Sequence, residues 1–148
     1  MAINPKVIKN YGRIGVLMGG PSSEREISLK SGKAVYESLK GEDLDVVAID
    51  ITTEGREENI SLIRSHNIDC AFLALHGRFG EDGKIQDILD SMNIPYTASG
   101  PEASRLSMDK IASRQVLSLH NIAVPSYKVL DRGSYNPGRL KDFKLRYP

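Results

Sequence analysis

The run Ile14-Gly-Val-Leu-Met18, with Gly19-Gly20 directly behind it, constrains this chain more than any other stretch. An apolar run without polar alternation suits a strand buried on both faces of a parallel sheet. Two glycines at its end suit a tight turn into a helix. Further apolar runs follow at Val46-Val-Ala-Ile49, from Cys70 to Leu75, and briefly at Ile94-Pro-Tyr-Thr97. The spacing between them predicts helices. Ile27, Ser31, Ala34, Val35, Ser38 and Leu39 share one stripe, with Glu26, Lys30, Lys33 and Glu37 outside it. Ile60, Leu62 and Ile63 mark a second helix ending near His66-Asn67, and Ile85, Ile88, Leu89 and Met92 mark a third. Strand and helix in alternation predict an α/β fold: an open parallel sheet with right-handed crossovers.

The pattern changes after Gly100. Ser107 reads as the cap of a helix from Asp109 to Leu119, and Tyr127-Lys-Val-Leu130 as a further strand. Arg132-Gly-Ser-Tyr-Asn-Pro-Gly138 is dense in turn residues. At Leu145-Arg-Tyr-Pro148 a new strand would begin. The region after about residue 106 has too few elements to bury its own apolar faces. Either it packs back on the first domain or it opens a larger second one. The second reading divides the chain into an amino-terminal domain over residues 1–106 and the start of a truncated domain over 107–148.

Composition narrows the function. Lys and Arg number 20 against 19 for Asp and Glu, a net charge of +1, so there is no electrostatic reason to propose nucleic acid or an anionic membrane as partner. No run approaches the ~18–20 apolar residues of a membrane span. The polar, proline-bearing segment Met1–Lys6 does not read as a secretory signal. A cytoplasmic protein with a small-molecule or protein partner is the expectation. Cys70, the only cysteine, has no disulfide partner in the chain and sits in an apolar run, so a buried, inert thiol is expected.

Three segments offer chemistry. In Gly19-Gly-Pro-Ser-Ser-Glu-Arg-Glu26, Ser23 and Glu26 have capping-box spacing, which would put Glu24 in the first helical turn. Two readings are open for Glu24: it complements the helix dipole, worth about 0.3–1 kcal/mol, or it holds a ligand ammonium group. The segment is neither a dinucleotide fingerprint nor a phosphate loop. In Leu75-His-Gly-Arg-Phe-Gly-Glu-Asp-Gly-Lys84, His76 emerges at a strand end, where it serves either as a hydrogen-bonded structural residue or as a ligand contact. If the third strand pairs beside the first on the side away from the second, strand order reverses there and a crevice opens at the carboxyl ends. Glu24 and His76 would then face each other across it. A zwitterionic amino acid would fit: carboxylate to its ammonium, imidazole and backbone amides to its carboxylate. In Ser107-Met-Asp-Lys110, Lys110 falls in a first helical turn, either as a solvated surface lysine or as a point charge for phosphate. His66 and His120 sit in ordinary polar contexts.

Taken jointly, these segments resemble the D-alanine–D-alanine ligases of the ATP-grasp superfamily. The residues carrying the resemblance are Gly19 to Ser28, Ala74-Leu-His-Gly77, Gly80-Glu-Asp-Gly83 with Gln86, Pro95-Tyr-Thr97, Ser99-Gly100, Ala103-Ser104 and Leu106 to Lys110. Ala98, Asp87 and Arg105 depart from the family pattern. The resemblance implies a Rossmann-like three-layer parallel sheet, the pre-ATP-grasp domain, followed by the beginning of an ATP-grasp domain. It implies that Glu24 orients the first D-alanine as the catalytic residue of this segment, and that Ile27 and Gly77 belong to the same subsite. His76 would lie near that substrate's carboxylate, and Lys110 would reach the ATP phosphates. The implied reaction joins two D-alanines into D-alanyl-D-alanine for peptidoglycan precursor synthesis, through an acyl phosphate. ATP and Mg2+ take part, and the magnesium ligands are expected downstream of this chain. A homodimer is implied at full length. The chain alone is expected to be inactive. D-lactate or D-serine as second substrate, and a stand-alone Rossmann-like module that binds a small ligand without catalysis, are the alternatives.

Overall fold

A computed structural model of the chain describes residues 11–130 and Gly133. It divides into two compact units, Met1–Met108 and Asp109–Pro148. The first contains, in chain order, β1 (Ile14–Gly19), α1 (Arg25–Gly41), β2 (Val46–Ile51), α2 (Arg56–Ser65), β3 (Cys70–Leu73), α3 (Lys84–Ser91) and α4 (Pro101–Met108). The second contains α5 (Lys110–Leu119).

The strands pair in parallel in the order β2-β1-β3, with Leu17 opposite both Ile49 and Leu73. Strand order therefore reverses between β1 and β3, as expected. β1 is buried throughout, because it has a strand on each side and helices over both faces. On one face Val16, Met18 and Ala74 pack against Leu29, Val35, Tyr36 and Leu39 of α1. On the other, Leu17, Ile49, Ile51 and Ala71 pack against Ile63 of α2 and Ile85, Ile88 and Leu89 of α3. The result is three layers. Close approach of α1 to β1 requires Gly32, since a β-carbon there would stand 2.5 Å from that of Met18.

Several expectations fail for identifiable reasons. β2 is not buried on both faces: Ala48 and Asp50 are exposed, because it lies at the edge of the described sheet. The expected strand at Ile94–Thr97 shrinks to one bridge, Ala71 with Tyr96. Ala71 and Thr97 make the two backbone bonds of that bridge, but the next amide, Leu73, is taken by the Thr97 hydroxyl instead of a backbone carbonyl, and pairing stops. Ser23 does not cap α1. The cap position is Glu24, one residue later than the Ser-x-x-Glu pattern predicts, and its amide donates to the Ser22 hydroxyl at 3.1 Å. The stripe of α1 is also rotated: Ile27 is 63% exposed, whereas Ser28 and Gly32 are buried.

The pattern predicted no helix over α4, yet residues 101–108 form one, and it absorbs Ser107. The cap of α5 is Asp109, whose Oδ1 accepts from the amides of Ile111 at 2.9 Å and Ala112 at 3.0 Å. Two amides satisfied by one carboxylate outweigh a serine three residues from the helix. Within the second unit, residues 127–130 form no strand, and the Arg114 guanidinium lies 5.0 Å from the Tyr127 ring centre. Apart from Gly133, the expectations for residues 132–148, and those for Met1–Lys6, lie outside the described residues.

Candidate functional site at the carboxyl ends of the strands

The turn after β1 is held on three sides. Ser28, wholly buried, accepts the Gly19 amide at 2.9 Å and donates to the Ala74 carbonyl at 2.7 Å, tying the ends of β1 and β3 to α1. Arg25 clamps the end of β2. Its guanidinium donates to both Asp50 oxygens, at 2.9 and 2.7 Å, and to the Ile51 carbonyl at 3.1 Å. Hydrogen bonding to Asp50 holds its pKa above the ordinary arginine value. Ser22 supplies the third tie, donating to the His76 carbonyl at 2.9 Å while accepting from Glu24.

These ties bring the turns after β1 and β3 together. Gly77 has φ of +68°, and a methyl group there would stand 3.3 Å from Ser22 Oγ and 3.4 Å from the Glu24 carboxyl carbon and Oε1. Glu24 is exposed and makes no ion pair with the described residues. The His76 ring is half-buried. Its Nε2 is 2.9 Å from Ser31 Oγ and its Nδ1 is 3.9 Å from Glu81 Oε1. Glu24, Ile27 and Ser31 recur at three- and four-residue spacing, so they share one side of α1. An acidic group and an imidazole thus flank one glycine turn, at the strand-order reversal where open α/β sheets bind ligands.

The loop beyond His76 is anchored from below. Phe79 is buried despite φ of +71°, and the wholly enclosed Gln86 donates to the Gly80 carbonyl at 2.9 Å. A backbone bond from Glu81 to Gly77, 2.9 Å, closes its first turn.

Of the residues singled out from the sequence, Glu24, His76 and Gly77 are gathered here. Ile27 is on the same side of α1, open to solvent. Lys110 is the first residue of α5, in the second unit, and is exposed. Sequence reasoning read Ser22, Ser28 and Gln86 only as motif residues and Ser31 only as a stripe residue. The available signal was the density of hydroxyls among Ser22, Ser23, Ser28 and Ser31, which apolar periodicity ignores.

A family model described as the amino terminus of D-ala D-ala ligase matches residues 13–62 and 57–99. A D-alanine–D-alanine ligase of Desulforudis audaxviator is 44% identical over 136 residues, which is 92% of this chain and 43% of that protein. The Geotalea uraniireducens ligase is 51% identical over 121 residues, 82% of this chain and 38% of that protein. Among solved structures, the Bacillus anthracis ligase complexed with ATP aligns with a TM-score of 0.75 at 35% identity, covering 84% of this chain and 43% of that one. The chain therefore spans less than half the length of these relatives. With more than half of its residues inside the family model and its strand order and turns in place, the chain belongs to the D-alanine–D-alanine ligase family, whose amino-terminal domain it contains.

Proposed function

We propose that the first unit forms the subsite for the first D-alanine of an ATP-dependent ligase that makes D-alanyl-D-alanine for peptidoglycan precursors. The supporting observation is the convergence of Glu24 and His76 on the Gly77 turn. Glu24 takes the substrate ammonium, which an exposed carboxylate without an ion pair among the described residues can do directly. His76 and the amides of the Gly77 turn face its carboxylate, with Ile27 beside the methyl group. Held in this way, the carboxylate attacks the γ-phosphate of ATP, releasing ADP and leaving an acyl phosphate. The amine of a second D-alanine then attacks that carbonyl, and phosphate departs. Such a reaction depends on positioning and charge neutralisation more than on covalent catalysis by the protein.

Lys110 is assigned to the ATP phosphates as a point charge. Magnesium, which the family implies, finds no donor set here: among the described residues no three His, Cys, Asp or Glu side chains gather to hold a metal. The contribution of these residues to the reaction runs through the first substrate. No described helix is long and apolar enough to cross a membrane, and we assign the ligase to the cytoplasm, acting as a homodimer at full length.

The test is a chimera in which this chain replaces the matching segment of a curated relative. Glu24→Ala should lower kcat/KM for D-alanine by about tenfold or more, as expected for a lost charge-assisted contact. Unchanged turnover in Glu24→Ala would overturn the assignment. ADP release with D-alanine by this chain alone would overturn the expectation that it is inactive by itself.

A further inference from the structure

We propose that Ser31 is a positioning residue that fixes the tautomer of His76, holding the imidazole with its proton on Nδ1. The inference rests on the substrate reading above for its consequence, but not for its geometry.

His76 is bound at two points from α1 and the turn before it. Ser22 Oγ donates to its backbone carbonyl at 2.9 Å, which sets where the residue stands. Ser31 Oγ lies 2.9 Å from Nε2, which sets how the ring is turned. The groups facing the ring differ in kind. On the Nδ1 side the neighbour is the Glu81 carboxylate at 3.9 Å, which when ionised only accepts. On the Nε2 side it is a hydroxyl, which both donates and accepts. Nε2–H donating to Ser31 would turn the Nδ1 lone pair toward the Glu81 carboxylate; with Ser31 donating to Nε2, Nδ1–H points there instead. The hydroxyl gives up little by this, because its other acceptor, the Ser28 carbonyl in the preceding turn of α1, is the longer contact at 3.2 Å. Which ring nitrogen carries the proton is set by the hydrogen bond the other makes.

The consequence concerns the substrate. A neutral imidazole with Nδ1–H is a donor on the face turned from Ser31, and a donor is what an amino-acid carboxylate needs. The opposite tautomer would present a lone pair to that carboxylate. Glu81 Oε1 is 3.9 Å from Nδ1, too long for a hydrogen bond.

Three histidines make the test direct. With the intact chain labelled with 15N-histidine and held at about pH 9, well above the ordinary imidazole pKa, long-range 1H–15N spectra report each ring's tautomer. His66→Gln and His120→Gln variants assign the signals. The expected result is Nδ1–H at His76, conversion to the Nε2–H form that free imidazole favours in Ser31→Ala, and retention of Nδ1–H in Ser31→Thr. An Nε2–H ring in the wild type, or no change in Ser31→Ala, overturns the proposal. In the ligase chimera, Ser31→Ala should raise KM for the first D-alanine about fivefold, the worth of one hydrogen bond, with kcat nearly unchanged and recovery in Ser31→Thr. An unchanged KM overturns the positioning role. If Glu24→Ala is silent in that chimera, the substrate reading fails instead, and the spectra still decide the tautomer.

Discussion

The Ser28 hydroxyl, without solvent exposure, bonds the Ala74 carbonyl at 2.7 Å across the top of the sheet. Because it also accepts the Gly19 amide, one side chain of α1 satisfies the ends of two strands. Ser28→Ala would leave a buried donor and a buried acceptor unpaired, each costing about 1–3 kcal/mol. We expect the variant to lose about 2 kcal/mol or more in urea denaturation followed by circular dichroism, with Ser28→Thr losing less. A loss under about 0.5 kcal/mol would show that water replaces the hydroxyl.

Gly77→Ala tests the convergence of the two turns. The substitution forces an L residue into a left-handed conformation, at about 1–2 kcal/mol, and puts a methyl group against Ser22 Oγ and the Glu24 carboxylate. D-Alanine affinity, measured by calorimetry in the ligase chimera, should fall by more than the stability loss explains. The control is Gly100→Ala, where a β-carbon meets nothing among the described residues within 4 Å; it should leave affinity untouched.

Gln86 supports the loop from beneath. Gln86→Leu removes the bond to the Gly80 carbonyl and also removes Oε1, which finds no partner among the described residues. The two effects partly offset, so the stability loss should be small, about 1 kcal/mol. Hydrogen exchange should nevertheless quicken at Glu81 and its loop neighbours while the β1 amides stay protected. Uniform acceleration across both would mean that Gln86 serves the core and not the loop.

Cys70 is half-buried, not fully enclosed as expected, and its thiol donates to the Tyr11 carbonyl at 3.5 Å. Burial first, and then the neighbouring Asp69 charge, push its pKa above the ordinary thiol value. At about pH 8.5 iodoacetamide should therefore alkylate the folded chain more slowly than the urea-unfolded one, with Asp69→Asn recovering only part of the difference. The linked stability runs the same way. The folded thiol keeps its proton longer, so stability is full below the unfolded pKa and declines as pH rises through the folded one.

Several features were legible from residue order because they depend on local pattern. Unbroken apolar runs became β1, β2 and β3, and the three-residue spacing of Ile85 and Ile88 became the buried side of α3. Short runs separated by helices leave few parallel arrangements, and the one weighed from the sequence, β3 beside β1 on the side away from β2, is the one the sheet adopts.

The tertiary structure alone decided where hydroxyls replace apolar side chains. Apolar periodicity put Ile27 on the packing stripe, yet Ser28 is the residue enclosed and Ile27 faces solvent. A serine satisfied at both its donor and its acceptor can be buried at little cost, and its two partners, Gly19 and Ala74, are 9 and 46 residues away. The same reason explains the contact of Ser31 with His76, 45 residues away. Hydrophobic burial acts through local spacing and can be read along the chain, whereas a hydrogen bond between distant residues has direction and length, and exists only after the strands have been brought side by side.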